Sequence, residues 1–231
     1  SIYFGNEISE WKYKELIDSK DSILSDDDLP SYFHWELEFP EILLNRKGFI
    51  VVASNPPYLK EMDNKGIFEP VKRSDYAKYY QGKMDFWYFF LHRAIDVLAQ
   101  DCLIGFITNS YFLKSAGASK LIQRIKEELV IVKAIDMGGI KVFENVSGRH
   151  IICLYRKSNN KDSKTIFIVP DKNCFSNRID EQNQRELFNQ NLVTEDYKIN
   201  FQNEDLIIFR NCTSLGEIYD VSQGVVEAPD K

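Results

Sequence analysis

Short, uninterrupted apolar runs alternate along this chain with stretches whose apolar residues recur every three to four positions. The first run, Gly48 to Ser54, reads as a buried strand closed by a turn. Between Met84 and about Ala99 the apolar residues Phe86, Phe89, Phe90, Ala94, Val97 and Leu98 keep a helical period. Cys102 to Thr108 is a second buried strand, ending at Asn109. A helix is predicted over Ser119 to Glu128, then a strand over Val130 to Met137 closed by Gly138-Gly139, then a strand over His150 to Tyr155. Only a loop separates the last two strands, which predicts an antiparallel pair. The order strand, helix, strand, helix, strand, strand predicts an α/β fold: an open, Rossmann-like sheet, mostly parallel, with an antiparallel hairpin at its edge.

The flanks read differently. Ile8 to Lys20 has a helical pattern, and an acidic stretch follows at Asp26-Asp27-Asp28. Phe33 to Glu41 alternates aromatic and acidic residues, as a short strand or an ordered loop would. Leu59 to about Lys83 is a polar, lysine-containing connection of a length that tends to be functional or mobile. Beyond Lys157 the chain turns polar and rich in Asn and Gln, with strand-like runs at Thr165 to Val169 and Asp205 to Phe209. The expected division is an acidic lead-in over 1–45, the α/β body over 46–157, and a linker with the start of another domain over 158–231.

Composition narrows the class without naming it. The chain has 231 residues, 44% hydrophobic and 28% charged, which is ordinary for a globular protein with one good core. No apolar run is long enough to span a bilayer, and no signal-peptide pattern is present. Cys102, Cys153, Cys174 and Cys212 form no CxxC pair, and His34, His92 and His150 are scattered. Reduced thiols in a cytoplasmic protein, and no metal site, are therefore expected. The net charge of −6 is uneven: residues 1–45 carry 11 acidic and 3 basic residues, which leaves the remainder at +2. A near-neutral body is compatible with a local nucleic-acid patch, and a solvated acidic face is the plain reading of the first 45 residues.

In sheets of this kind active sites lie beyond the carboxyl ends of the strands. Asn55, Asn109 and Gly138 all fall there. At the first of these ends stands Asn55-Pro56-Pro57-Tyr58. The residue before a proline is driven out of the helical region and Pro fixes its own φ, so the step is a stiff corner that holds the Asn carboxamide in place. A rigid turn is the plain alternative. The chemical reading is sharper. An exocyclic amino group on a nucleobase is a poor nucleophile because its lone pair is delocalised into the ring. Asn55 Oδ1 and the Pro56 carbonyl can accept its two hydrogens and favour a lone pair directed out of the ring plane, and neither proline has an N–H to compete. Such acceptors act by preorganised geometry, with no strong base required. Tyr58 can stack on the base, which must be extruded from a duplex to arrive there.

These residues resemble the amino-directed DNA methyltransferases that act on adenine N6, above all the methyltransferase part of type IIG restriction–modification enzymes. The matching segments are Phe33 to Leu43, Gly48 to Tyr58, Asp85 to Leu98, Ile104 to Leu113 and Lys141 to Lys157. Only the second is specific alone; their order and spacing are specific together. The resemblance implies S-adenosylmethionine as cofactor and methyl donor, touched by Asn55. It implies double-stranded DNA with a flipped adenine as substrate partner, and the bacterial or archaeal cytoplasm as location. It implies Asn55, Pro56, Pro57 and Tyr58 as the catalytic corner. Phe143 would pack at the other side or edge of the base, unless it merely anchors the hairpin. Asp85 and Phe86 would shape the base pocket, unless Asp85 only caps a helix. The family's glycine-rich cofactor loop has no counterpart, since none of the 11 glycines forms GxG. Ser214 to Lys231 resembles the opening of a target-recognition domain. The expectation is therefore an internal fragment, inactive alone, whose partners are the rest of its own polypeptide: an upstream cofactor-binding part and a downstream recognition domain. Two other readings stay open: methylation of a protein glutamine or an RNA guanine amino group by the same corner, and a non-catalytic nucleic-acid-binding module.

Overall fold

The computed structural model of the chain describes residues 35–143, 148–170 and 184–201. The expected helix at Ile8 to Lys20, the acidic stretch, the strand at Asp205 to Phe209, the recognition-domain opening at Ser214 to Lys231, Cys174 and Cys212 lie outside them. Six strands form one sheet in the order β1-β2-β4-β3-β5-β6. They are β1 (Phe49–Ser54), β2 (Leu98–Asn109), β3 (Leu129–Asp136), β4 (His150–Lys157), β5 (Lys164–Ile168) and β6 (Gln184–Phe188). β1 runs parallel to β2 and β3 parallel to β5, whereas β4 is antiparallel to both β2 and β3, and β6 to β5. Four strands thus share one direction, and the α/β class with its β3–β4 hairpin is as the sequence implies. The hairpin is internal, however, because β5 and β6 extend the sheet beyond β3.

Among the described residues three helices of at least two turns accompany the sheet: α1 (Lys65–Lys72), α2 (Trp87–Val97) and α3 (Ser119–Glu128). Helix α2 is buried along most of its circumference, through Trp87, Tyr88, Phe89, Leu91, His92, Ala94, Ile95 and Val97. A helix apolar nearly all round belongs inside a core. Trp87 and Phe112 meet edge to face, 5.0 Å between centroids. Helix α3 buries one stripe, Leu121, Ile122 and Ile125. Arg124 ties it to α2, donating to the His92 carbonyl at 2.9 Å, Asp96 Oδ1 at 2.5 Å and Glu128 Oε1 at 2.6 Å. With its donors matched in this way, a largely buried guanidinium is tolerated.

Four local expectations change. Trp35 to Glu38 is a helical turn followed by a short π-helix at Glu41–Asn45, not a strand. The Trp35 and Phe39 rings pack together on Phe49, an arrangement that the helical turn brings about. The Leu59–Lys83 connection contains α1 and a 3₁₀ turn at Asp75–Tyr79. Pro70 inside α1 hides the helix from sequence, and Phe68 alone is buried along it. The second strand starts at Leu98, directly after α2, and the irregular pairing between Phe49 and Val51 absorbs the extra residues. Finally, β1 is not buried: it is an edge strand among the described residues, with Ile50 64% and Val51 58% exposed.

Gly48 sets where β1 enters. Its φ is +133°, and a Cβ there would lie 2.5 Å from the Ala99 nitrogen. Only glycine permits both that conformation and that approach to β2.

Candidate active site

β1 ends at Ser54, paired with Phe106 of β2, and the chain turns off the sheet through Asn55-Pro56-Pro57-Tyr58. Asn55 is exposed, Pro56 buried and Tyr58 half-buried. The Tyr58 hydroxyl lies 2.9 Å from Asn55 Oδ1 and 2.9 Å from the carbonyl oxygen of Ile107. One O–H proton thus serves two acceptors. Ile107 is the residue just past the last β1–β2 pair, so the phenol supplies a rung that β1 no longer can. It thereby fixes the carboxamide oxygen of Asn55 to the end of β2. Burial, and after it the nearby Asp85 carboxyl, pushes the Tyr58 phenol up to about 12, which keeps it a donor at neutral pH.

Asp85 reaches this corner through the backbone. Phe86 N–H donates to the Leu59 carbonyl at 2.8 Å and Glu61 N–H to the Met84 carbonyl at 2.9 Å, a short antiparallel bridge centred on Lys60 and Asp85. The Asp85 side chain is 6% exposed and accepts from Asn109 Nδ2 at 2.8 Å. Its Oδ1 finds no hydrogen-bond partner among the described residues. Burial raises the Asp85 carboxyl above the ordinary range, against the opposing effect of the Asn109 amide. Phe86 turns elsewhere: its ring packs on Phe68, Phe89 and Phe90, in the aromatic cluster joining α1 and α2.

Phe143 comes to the same place by way of His150. The His150 ring is 5.2 Å from Phe143, edge to face, and 5.8 Å from Tyr58. His150 opens β4 directly opposite Asn109, the last residue of β2. The structure therefore brings Asn55, Tyr58, Asp85 and Phe143 to one end of the sheet. In the sequence His150 is only one of three scattered histidines. A polar residue opening an otherwise apolar strand, opposite a strand-end asparagine, is the signal that could have found it.

A cavity of about 590 Å³ adjoins the corner, with Val52, Ser54, Phe89, Phe90 and Phe106 in its walls. Asn55, Tyr58 and Phe143 do not line it.

An exposed carboxamide on a stiff strand-end corner, an aromatic ring beside it and an α/β sheet behind it are the setting in which the family match falls, that of a methylase domain. The chain belongs to the Eco57I restriction-modification methylase family, whose model matches residues 3–143. It is similar to the type II restriction enzyme and methyltransferase RM.Eco57I of Escherichia coli, 25% identical over 174 residues, which is 74% of this chain and 16% of that protein. The chain thus spans about a sixth of that relative's length. Among solved structures it is similar to the methyltransferase subunit of a type I restriction-modification system from Streptococcus thermophilus. That match has a TM-score of 0.42 and 19% identity, and covers 62% of this chain and 28% of that one. It is also similar to the ATP-dependent type ISP restriction-modification enzyme LlaBIII bound to DNA, with a TM-score of 0.46 and 14% identity, covering 78% of this chain and 14% of that one.

The methyl donor of such a family is S-adenosylmethionine. The exposed Asn55 carboxamide stands outside the walls of the adjoining cavity, and the chain's glycines form no GxG loop, so the described residues do not by themselves make up a site for that molecule. No helix among the described residues is long and apolar enough to cross a membrane.

Proposed function

We propose that the chain supplies the substrate-binding half of a site-specific DNA adenine-N6 methyltransferase of a restriction–modification enzyme. One observation carries the reading: Asn55 Oδ1 is held at the carboxyl end of β1 by a phenol anchored to β2. That oxygen and the Pro56 carbonyl accept the two hydrogens of the adenine amino group and turn its lone pair out of the ring plane. The duplex must release the base for this, and Tyr58 with Phe143 then take its two faces. Asp85 borders the pocket through Asn109, whereas Phe86 supports it only from behind, in the aromatic cluster with Phe68, Phe89 and Phe90. S-adenosylmethionine supplies the electrophilic methyl group. Residues 46–157 form the catalytic body, whose sheet β5 and β6 extend, 1–45 an acidic insertion, and the chain beyond β6 the passage to a target-recognition domain. The polypeptide on either side completes the enzyme, and this piece alone is inactive.

The test is methylation by the full-length protein. Duplex DNA, total cell RNA and total cell protein are incubated with labelled donor, and nucleosides and amino acids are resolved by mass spectrometry. N6-methyladenine in DNA is the expected product. Methylglutamine in a protein, or a methylated guanine in RNA with unmodified DNA, would move the same corner to another substrate. No transfer to any of the three would leave the chain a binding module.

A further inference from the structure

We infer that His150 is a positioning residue that sets the gap between the two aromatic rings, Tyr58 and Phe143, that hold the target base; this rests on the base-binding reading above.

Tyr58 belongs to the corner after β1, and Phe143 to the segment after β3, so the two are far apart in sequence. Among the described residues only His150 is in ring contact with both, edge to face with Phe143 at 5.2 Å and tilted by 50° to Tyr58 at 5.8 Å. Its own place is set by the sheet. His150 pairs with Asn109, its carbonyl accepts from the Met137 N–H at 2.9 Å, and the preceding carbonyl, of Arg149, accepts from the Ser110 N–H at 2.9 Å. The ring is therefore pinned at the meeting of β2, β3 and β4, while both residues it touches sit on connecting segments.

A second observation separates this from simple core filling. His150 is 1% exposed, yet its Nδ1 finds no hydrogen-bond partner among the described residues. Burying a polar atom unpaired is unfavourable, and an apolar side chain of similar size would fill the space without that cost. A planar ring that meets one aromatic edge-on and another at a tilt is what an aliphatic chain cannot supply. Burial holds the imidazole below its ordinary pKa, so it stands there neutral. His150 thus acts through Tyr58 and Phe143 rather than on the reacting atoms.

The experiment uses the full-length methyltransferase and a duplex carrying 2-aminopurine at the adenine it modifies, located beforehand by sequencing modified DNA. Stacking quenches 2-aminopurine emission, so a looser pair of rings leaves the flipped base brighter. His150→Leu is expected to keep its unfolding midpoint and S-adenosylmethionine binding, to brighten the bound probe, and to slow single-turnover methylation by about tenfold, as a lost aromatic contact does. His150→Phe, which restores a ring, is expected to recover the rate. A His150→Leu enzyme with wild-type rate and wild-type emission overturns the inference, as does a His150→Phe no better than Leu. Should His150→Leu fail to fold, His150→Gln is measured with the same two outcomes. Asn55→Ala keeps the two levels apart. If it too methylates at the wild-type rate, the base-binding reading itself falls; if it is inactive beside a fully active His150→Leu, only the role of His150 does.

Discussion

Replacing Tyr58 by Phe removes one oxygen and leaves the ring, which separates what the phenol does from what stacking does. The lost atom is the donor to both Asn55 Oδ1 and the Ile107 carbonyl, each at 2.9 Å. One proton cannot satisfy both fully, so the loss is that of one hydrogen bond, about 0.5–1.5 kcal/mol. If that bond serves to aim the Asn55 oxygen, the barrier rises by the same amount, a drop of about 2- to 13-fold in the methylation rate. Tyr58→Ala forfeits the stacking as well, a further 1–3 kcal/mol or so, for a combined loss of about 10- to 2,000-fold. Single-turnover methylation by the full-length enzyme, with saturating donor and DNA, reads both. The pH dependence is an internal check. The phenol is raised from 10 to about 12, so its contribution is complete below pH 10 and is lost as pH climbs from 10 through 12. The difference between wild type and Tyr58→Phe should therefore be constant from about pH 7 to 9. A Phe variant as slow as the Ala variant would refute the division between hydroxyl and ring. A Phe variant at the wild-type rate would refute the tether.

Asn55→Ala should abolish methyl transfer while shifting stability by less than about 0.5 kcal/mol, since the side chain is exposed; activity and urea unfolding report the two separately. Asp85→Asn addresses the buried carboxyl. Because burial raises its pKa, Asp85 contributes stability that is complete below the ordinary carboxyl value and is lost as pH rises through the raised one. The amide side chain of the variant does not titrate and has no such loss. The variant's stability relative to wild type should therefore increase with pH across the acid range in urea titrations, and a pH-independent difference would contradict the burial argument. Phe68→Ala removes a fully buried ring seated against Phe86 and Phe89, 5.5 Å and 6.1 Å away, and should cost about 3–5 kcal/mol. Limited proteolysis should then cut first between Leu59 and Lys83.

The α/β class and the strand-end position of Asn55 are legible in the sequence because they depend on local signals. Apolar runs, a helical period and a double proline each act over a few residues. What is not legible depends on pairing. Gly48 to Ser54 has the composition of a buried strand, but burial of Ile50 and Val51 depends on what packs around β1, which is an edge strand among the described residues. Helix α1 is hidden because Pro70 argues against a helix and its one buried residue, Phe68, gains a partner only when α2 is in place. The hairpin reads as a sheet edge because the strand-like runs beyond Lys157 give no sign of their register. Phe86 illustrates the same limit. Its neighbour in sequence, Asp85, turns toward Asn109, while Phe86 itself joins Phe68, and no periodicity distinguishes the two.

The contacts around the corner also bear on how an empty site stays ready. Asn55 Oδ1 must accept an amino hydrogen, yet without substrate it already accepts from Tyr58. The two needs are compatible because an amide oxygen has two lone pairs. The phenol holds one of them, and is itself held to the end of β2 through the Ile107 carbonyl, so the other stays open to an arriving amino hydrogen. The ring plane need not move, so the stacking face is kept. Pro56 and Pro57 keep the backbone from following. The tether therefore aims the acceptor before substrate arrives and keeps aiming it through the reaction, which is what electrostatic preorganisation requires.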